Sequence, residues 1–166
     1  YCGQGSLVMC EEVFPLDAKS PLSGADGTPY VQSMRTGAFA EKVVVHESQL
    51  VKLPDDMAFE PASLLACGVI TGFGAVVNTA KVRPGQTVAV VGCGGVGLNS
   101  VQGAALAGAA MVVALDLSED KLTAARAFGA THAFNPAATD AAAEIMALTG
   151  GRGVDFVFVT VGAKEA

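Results

Sequence analysis

The sequence predicts an α/β protein built on a doubly wound parallel sheet. Three observations carry that reading. Thr87–Val91 (TVAVV) is a short apolar run rich in β-branched residues, the pattern of a strand buried on both faces. It runs into Gly92-Cys93-Gly94-Gly95-Val96-Gly97 and then into Leu98–Ala107, a stretch of mostly small, helix-compatible residues. A second apolar run, Met111–Leu115, ends on Asp116, about 20 residues past the glycines.

A glycine triplet alone is weak evidence, but each part of this series has a physical job. Gly92 permits a tight turn, and Gly94 lets backbone approach a pyrophosphate. Gly97 lets the helix lie close on the sheet, with the N–H groups of its first turn facing the phosphates. Gly92, Gly94, Gly95 and Gly97 are therefore candidate cofactor-binding residues. Asp116 would accept hydrogen bonds from a ribose diol and repel a 2′-phosphate, which selects NAD over NADP. The competing reading is a glycine-rich turn in some other βαβ unit.

Taken in order, Tyr1–Gly37 is irregular, with Cys2, Cys10 and scattered prolines and glycines. It reads as a lobe or long loop of the kind that a metal often holds. Ala38–Val45 is predicted as a strand, and Leu50–Leu53 as a second after a turn at His46–Ser48. A helix is predicted from Phe59, with Pro61 tolerated in its first turn, and another over Ala66–Ala80, whose small residues demand close packing. Arg83-Pro84-Gly85 is a turn into the first nucleotide-fold strand. Beyond Asp116, a helix is predicted over Glu119–Phe128 with Ser118 as N-cap and Gly129 as its stop. A short strand follows at Thr131–Phe134, a helix at Thr139–Leu148 and a fourth strand at Val154–Val159.

A six-stranded dinucleotide fold needs two βαβαβ halves, and here the second stops after its first strand. The expectation is a fragment lacking sequence at both ends, with Val154–Val159 as an open, aggregation-prone edge.

Composition narrows the function classes. The 166 residues are 51% hydrophobic and 16% charged, ample for a core. A net charge of −6 and the absence of any basic stripe disfavour nucleic acid. The uncharged run Pro84–Leu115 carries many glycines and changes from strand to helix to strand, so it is not read as a membrane span. Four cysteines, Cys2, Cys10, Cys67 and Cys93, suggest metal binding or packing rather than disulfides in a chain of this class.

With these residues in hand, the sequence resembles the zinc-dependent medium-chain alcohol dehydrogenases, nearest the class III-like branch. The resemblance covers nearly the whole chain. It rests on Gly37-Ala38-Phe39-Ala40-Glu41, Cys67–Gly74 (CGVITGFG), Val82-Arg83-Pro84-Gly85, Gly92–Gly97, and Asp116 with Lys121.

It implies that residues 1–67 close a GroES-like catalytic β domain containing part of a structural-zinc lobe. Residues 68–166 would open a Rossmann-type NAD-binding domain. By the same resemblance Cys67 is a ligand of the catalytic Zn2+, its two partners lying upstream of Tyr1. Cys2 and Cys10 match the third and fourth ligands of a structural zinc. Thr71 and Val96 match contacts on the nicotinamide side, and Lys121 a contact to the adenosine ribose. Thr160, Val161 and Gly162 fall where backbone passes the cofactor. Cys93, His46 and His132 are assigned no chemistry.

The activity implied is hydride transfer between an alcohol, or a hemithioacetal-type adduct, and NAD, in a cytoplasmic homo-oligomer. A zinc-free quinone-reductase-like enzyme would share the nucleotide domain but lack Cys67 and the cysteine lobe. A non-catalytic nucleotide-binding protein is the third possibility.

Overall fold

The computed structural model describes residues 19–32 and 36–162. The chain divides into two compact units, Tyr1–Asp55 and Asp56–Ala166. The division falls ahead of the 67/68 boundary that the resemblance implies, so Cys67 lies in the second unit.

In the first unit the predicted strands Ala38–Val45 and Leu50–Leu53 do not form. A strand exists only by pairing, and the one pairing among the described residues here is an isolated bridge, Ser23 to Pro29. Phe39, Val43, Val44, Leu50 and Val51 are consequently exposed. His46 caps a 3-10 turn at Glu47–Gln49, its ring accepting from the Ser48 amide.

The second unit opens with a helical run, α1 (Phe59–Ala80). It is α-helical at Phe59–Ala62 and Ile70–Gly74, and widens to π geometry at Leu65–Val69 and Ala75–Ala80. By length and composition α1 would also be able to cross a membrane. A left-handed Lys81, φ 53°, ends it.

The sheet and its helices then follow: β1 (Thr87–Val91), α2 (Gly95–Leu106), β2 (Met111–Leu115), α3 (Glu119–Ala127), β3 (His132–Phe134), α4 (Ala141–Leu148) and β4 (Phe156–Val159). All pairings are parallel and the strand order is β3-β2-β1-β4. The sheet thus reverses direction of growth at β1, creating a switch point between β1 and β4.

Alternation explains the core. Val88 and Val90 of β1, with Val112 and Ala114 of β2, face Val101 and Ala104 of α2 and Leu122 and Ala125 of α3. Ala89, Met111, Val113 and Leu115 point the other way, onto Ala141 and Ile145 of α4. Both faces of β1 and β2 are therefore buried, and the sheet is doubly wound. Each fully buried valine contributes about 1.5–3 kcal/mol of burial free energy. At the β4 edge Val157 and Val159 are each 58% exposed.

Small departures from expectation have local causes. Helix α4 begins at Ala141 because the Asp140 carboxylate accepts from the Ala143 amide, 3.0 Å away. Ser118 sits at the N-cap of α3 but makes no side-chain cap bond. Its own amide donates instead to Asp116 Oδ1 at 2.9 Å. Strand β4 starts at Phe156 because Asp155 folds back on Thr87: the Thr87 amide and hydroxyl donate to Asp155 Oδ2 at 2.7 and 2.9 Å.

Candidate functional site

Parallel register brings the candidate residues together. Val91 pairs with Leu115 and with Val159, and Leu115 pairs with Phe134. The residues that leave these strands, Gly92, Asp116, Asn135 and Thr160, therefore emerge at one edge of the sheet, its carboxyl end.

The glycine turn is built as its spacing implies. Gly92 has φ 93°, a left-handed conformation that side chains resist, and its amide donates to the Leu115 carbonyl at 2.7 Å. A Cβ on Gly92 would stand 2.3 Å from Val161 Cγ1. Gly94 and Gly95 are exposed, and a Cβ on either would meet nothing within 4 Å. Gly94 is the N-cap of α2 and offers no side-chain cap. The N–H groups of the first helical turn thus open towards free space, a ready anion site.

Asp116 is held tightly. Its side chain is 9% exposed, and Oδ2 accepts from the Cys93 amide at 2.8 Å while Oδ1 takes the Ser118 amide. Lys121 Nζ lies 3.7 Å from Oδ2 but is half exposed, so this ion pair adds little. Burial acts to raise the Asp116 pKa, but the amide donors and Lys121 outweigh it and hold the carboxyl below its ordinary value. The same carboxylate acts on Cys93. Burial first, then the Asp116 charge, pushes that thiol up to about 11. Cys93 is buried and packs in the core cluster beneath the turn.

Beside these groups lies an open cavity of about 670 Å³, bordered by Gly92, Asp116, Leu117, Lys121, Pro136 and Val161 among others. Asn135 shapes its wall: its Nδ2 donates to the Leu117 carbonyl at 3.1 Å, and its Oδ1 accepts from the Ala137 amide at 3.0 Å. Asn135 and the Thr160 hydroxyl were not singled out from the sequence. The Asn-Pro dipeptide, a turn signal, was the one clue to the first.

Thr71 and Cys67 are exposed on α1. Their helix is fixed to the glycine-turn helix by contact with backbone: a Cβ on Gly72 would come within 2.2 Å of the Val96 carbonyl oxygen. The buried Ser100 hydroxyl lies 3.2 and 3.1 Å from the Gly72 and Val96 carbonyls. Val96 is half-buried in this seam.

No three of the described His, Cys, Asp or Glu residues gather as a metal site, and Cys67 is a free thiol. Cys2 and Cys10 lie outside the described residues. The described part of the chain therefore supplies one candidate zinc donor and not a zinc site. The fit to a dinucleotide is better: the helix terminus is uncapped with open space over Gly94 and Gly95, and the largely buried Asp116 carboxylate borders a cavity together with Gly92 of the same turn.

Comparison with known proteins agrees with this geometry. Residues 95–166 match the zinc-binding dehydrogenase family model. The chain is 44% identical over 120 residues to S-(hydroxymethyl)glutathione dehydrogenase of Paracoccus denitrificans, covering 72% of this chain and 32% of that protein. The chain belongs to the zinc-binding dehydrogenase family. Among solved structures it superposes on an alcohol dehydrogenase zinc-binding domain protein from Burkholderia ambifaria with a TM-score of 0.81 and 34% identity. That match covers 92% of this chain and 41% of the other. A quinone oxidoreductase from Pseudomonas syringae pv. Tomato is also similar, with a TM-score of 0.63 and 31% identity over 68% of this chain and 35% of its own. The chain spans about a third of the length of the curated relatives it matches. The parallel sheet, its switch point and the glycine turn are the parts of this fold on which the candidate site stands.

Proposed function

We propose that this chain forms the cofactor-binding part of an NAD-dependent alcohol dehydrogenase that carries zinc in its complete form. The observation that carries the reading is Asp116, a carboxylate at the end of β2, 9% exposed, bordering the same cavity as Gly92 and Val161. The α2 N-terminus would bind the pyrophosphate through its amides and dipole. Asp116 would accept from the adenosine ribose hydroxyls, with Lys121 beside it. Leu117, Pro136 and Val161 give the cavity an apolar wall against which a bound cofactor would pack. Thr71 and Val96 sit on the two helices locked together by Gly72 and Ser100, the side assigned to the nicotinamide. NAD, when bound, supplies a carbon that accepts hydride from the substrate. The substrate class is a small alcohol, or a hemithioacetal-type adduct as the named glutathione relative suggests. For zinc, the described residues offer one candidate donor, Cys67.

A zinc-free quinone-reductase chemistry is the second reading, favoured by the Pseudomonas syringae structure. The test is titration of the whole protein with NADH, then with NADPH, alongside zinc content and turnover of simple alcohols and quinones. Tight NADH binding with alcohol oxidation supports the first reading. Quinone reduction by a zinc-free protein replaces it.

A further inference from the structure

Thr160 follows β4 at the switch point, and its hydroxyl lies 2.8 Å from the Gly92 carbonyl oxygen and 3.1 Å from that of Val91. Its amide also donates to the Val91 carbonyl, at 2.9 Å. The Gly92 carbonyl and the Cys93 amide are the two ends of one peptide unit. Asp116 accepts from the amide end at 2.8 Å. One peptide plane is therefore clamped from both sides, by a donor arriving after β4 and an acceptor arriving after β2.

We infer that Thr160 is a positioning residue for the cofactor's pyrophosphate, acting through this peptide; the inference rests on the dinucleotide reading of the site. A peptide is planar, so fixing its carbonyl fixes its N–H. Gly92, at φ 93°, is the residue in the turn with the freedom to let that plane rotate. With the hydroxyl in place, the carbonyl is directed into the buried side of the turn, against Gly97. Rotation of the plane would bring a carbonyl dipole towards the anion and take the Cys93 amide away from Asp116. The carbonyl dipole opposes phosphate binding, while Asp116 keeps the Ser118 amide on Oδ1 and stays placed for the ribose, and the apolar cavity wall at Leu117 and Pro136 is untouched.

The test uses the whole protein and three probes, NADH, ADP and adenosine, with thermal unfolding run in parallel. Thr160→Val keeps the shape and removes the donor; Thr160→Ala removes the donor together with the γ-methyl and serves if the valine variant misfolds; Thr160→Ser keeps the hydroxyl. The expected result is a loss of about 5- to 10-fold in NADH and ADP affinity in the donor-less variants, the scale of one hydrogen bond, with adenosine unchanged and serine restoring both. Unchanged ADP affinity in Thr160→Val overturns the inference. So does an equal loss for ADP and adenosine, which would mean general loosening, or a serine variant that fails to rescue. A wild-type protein that binds neither NADH nor ADP overturns the dinucleotide reading itself, and this inference with it.

Discussion

A Cβ placed on Gly97 would stand 1.8 Å from the carbonyl oxygen of Gly92. The first turn of α2 therefore rests on the backbone of the glycine turn, and no side chain fits between them. Gly97→Ala should destabilise the protein by more than about 2 kcal/mol, because backbone rather than a flexible side chain must yield. Gly94→Ala is the contrast. Nothing lies within 4 Å of its Cβ and its φ of −77° suits alanine, so the stability cost should stay within about 1 kcal/mol. Its methyl would instead occupy the space offered to the pyrophosphate, and NADH affinity should fall. Thermal unfolding and cofactor titration on both variants check the pair; a stable Gly97→Ala protein would show that the turn packs differently.

Asp116→Ser addresses the cofactor choice. The wild-type carboxylate would meet a 2′-phosphate with like charge, and Leu117-Ser118 offers no arginine to offset it. The whole protein should prefer NAD, and the serine variant should narrow the gap in kcat/KM. Removing the carboxylate also strips acceptors from the Cys93 and Ser118 amides, at a cost of about 1–3 kcal/mol. Equal or better kcat/KM with NADP in the wild type would sink the assignment of Asp116.

Acid should weaken the β1–β4 junction. Donation from the Thr87 amide, then from its hydroxyl, holds the Asp155 carboxyl below its ordinary value of 3.8. A depressed folded-state pKa means the unfolded chain binds the proton more readily. The stabilisation is present above pH 3.8 and is lost as pH falls through the lower folded value. Asp116 contributes in the same direction. Asp155→Asn should flatten the acid arm of the unfolding curve while changing little at pH 7 beyond a constant offset. An unaltered acid arm in that variant would remove Asp155 from the account.

The parts that were legible in sequence share a physical feature. β1 and β2 start and stop where their apolar, β-branched runs do, because burial on both faces leaves no other pattern available. The glycines at 92 and 97 declare themselves because only glycine meets their geometry. Ala38–Val45 misled for the opposite reason. Its valine run reads as a strand, but a strand needs a ladder neighbour, and the described residues of that unit offer none. The hydrogen bonds of the Thr160 hydroxyl to the glycine turn and of Asn135 to Leu117 were illegible because their partners lie 68 and 18 residues away. Spacing rules do not reach across a crossover connection.

Cys67 separates the two enzyme readings. It sits in the π-helical turn Leu65–Val69, exposed, four residues before Thr71 on the same helical run. A buried thiol in that helix would be explained by packing; an exposed one has little packing to contribute. A cysteine thiolate binds zinc through a soft, charged sulfur, and serine keeps the size without the affinity. In the whole protein, Cys67→Ser should abolish alcohol oxidation and release the catalytic metal. NADH binding should persist, since the glycine turn and Asp116 stand on other elements. Cys10→Ser, by the same family pattern, should lower stability and one equivalent of zinc while sparing the chemistry. Metal content, NADH titration and turnover on the two variants side by side decide it. If Cys67→Ser retains wild-type zinc and turnover, the thiol is not a ligand, and the zinc-free reductase becomes the reading to pursue.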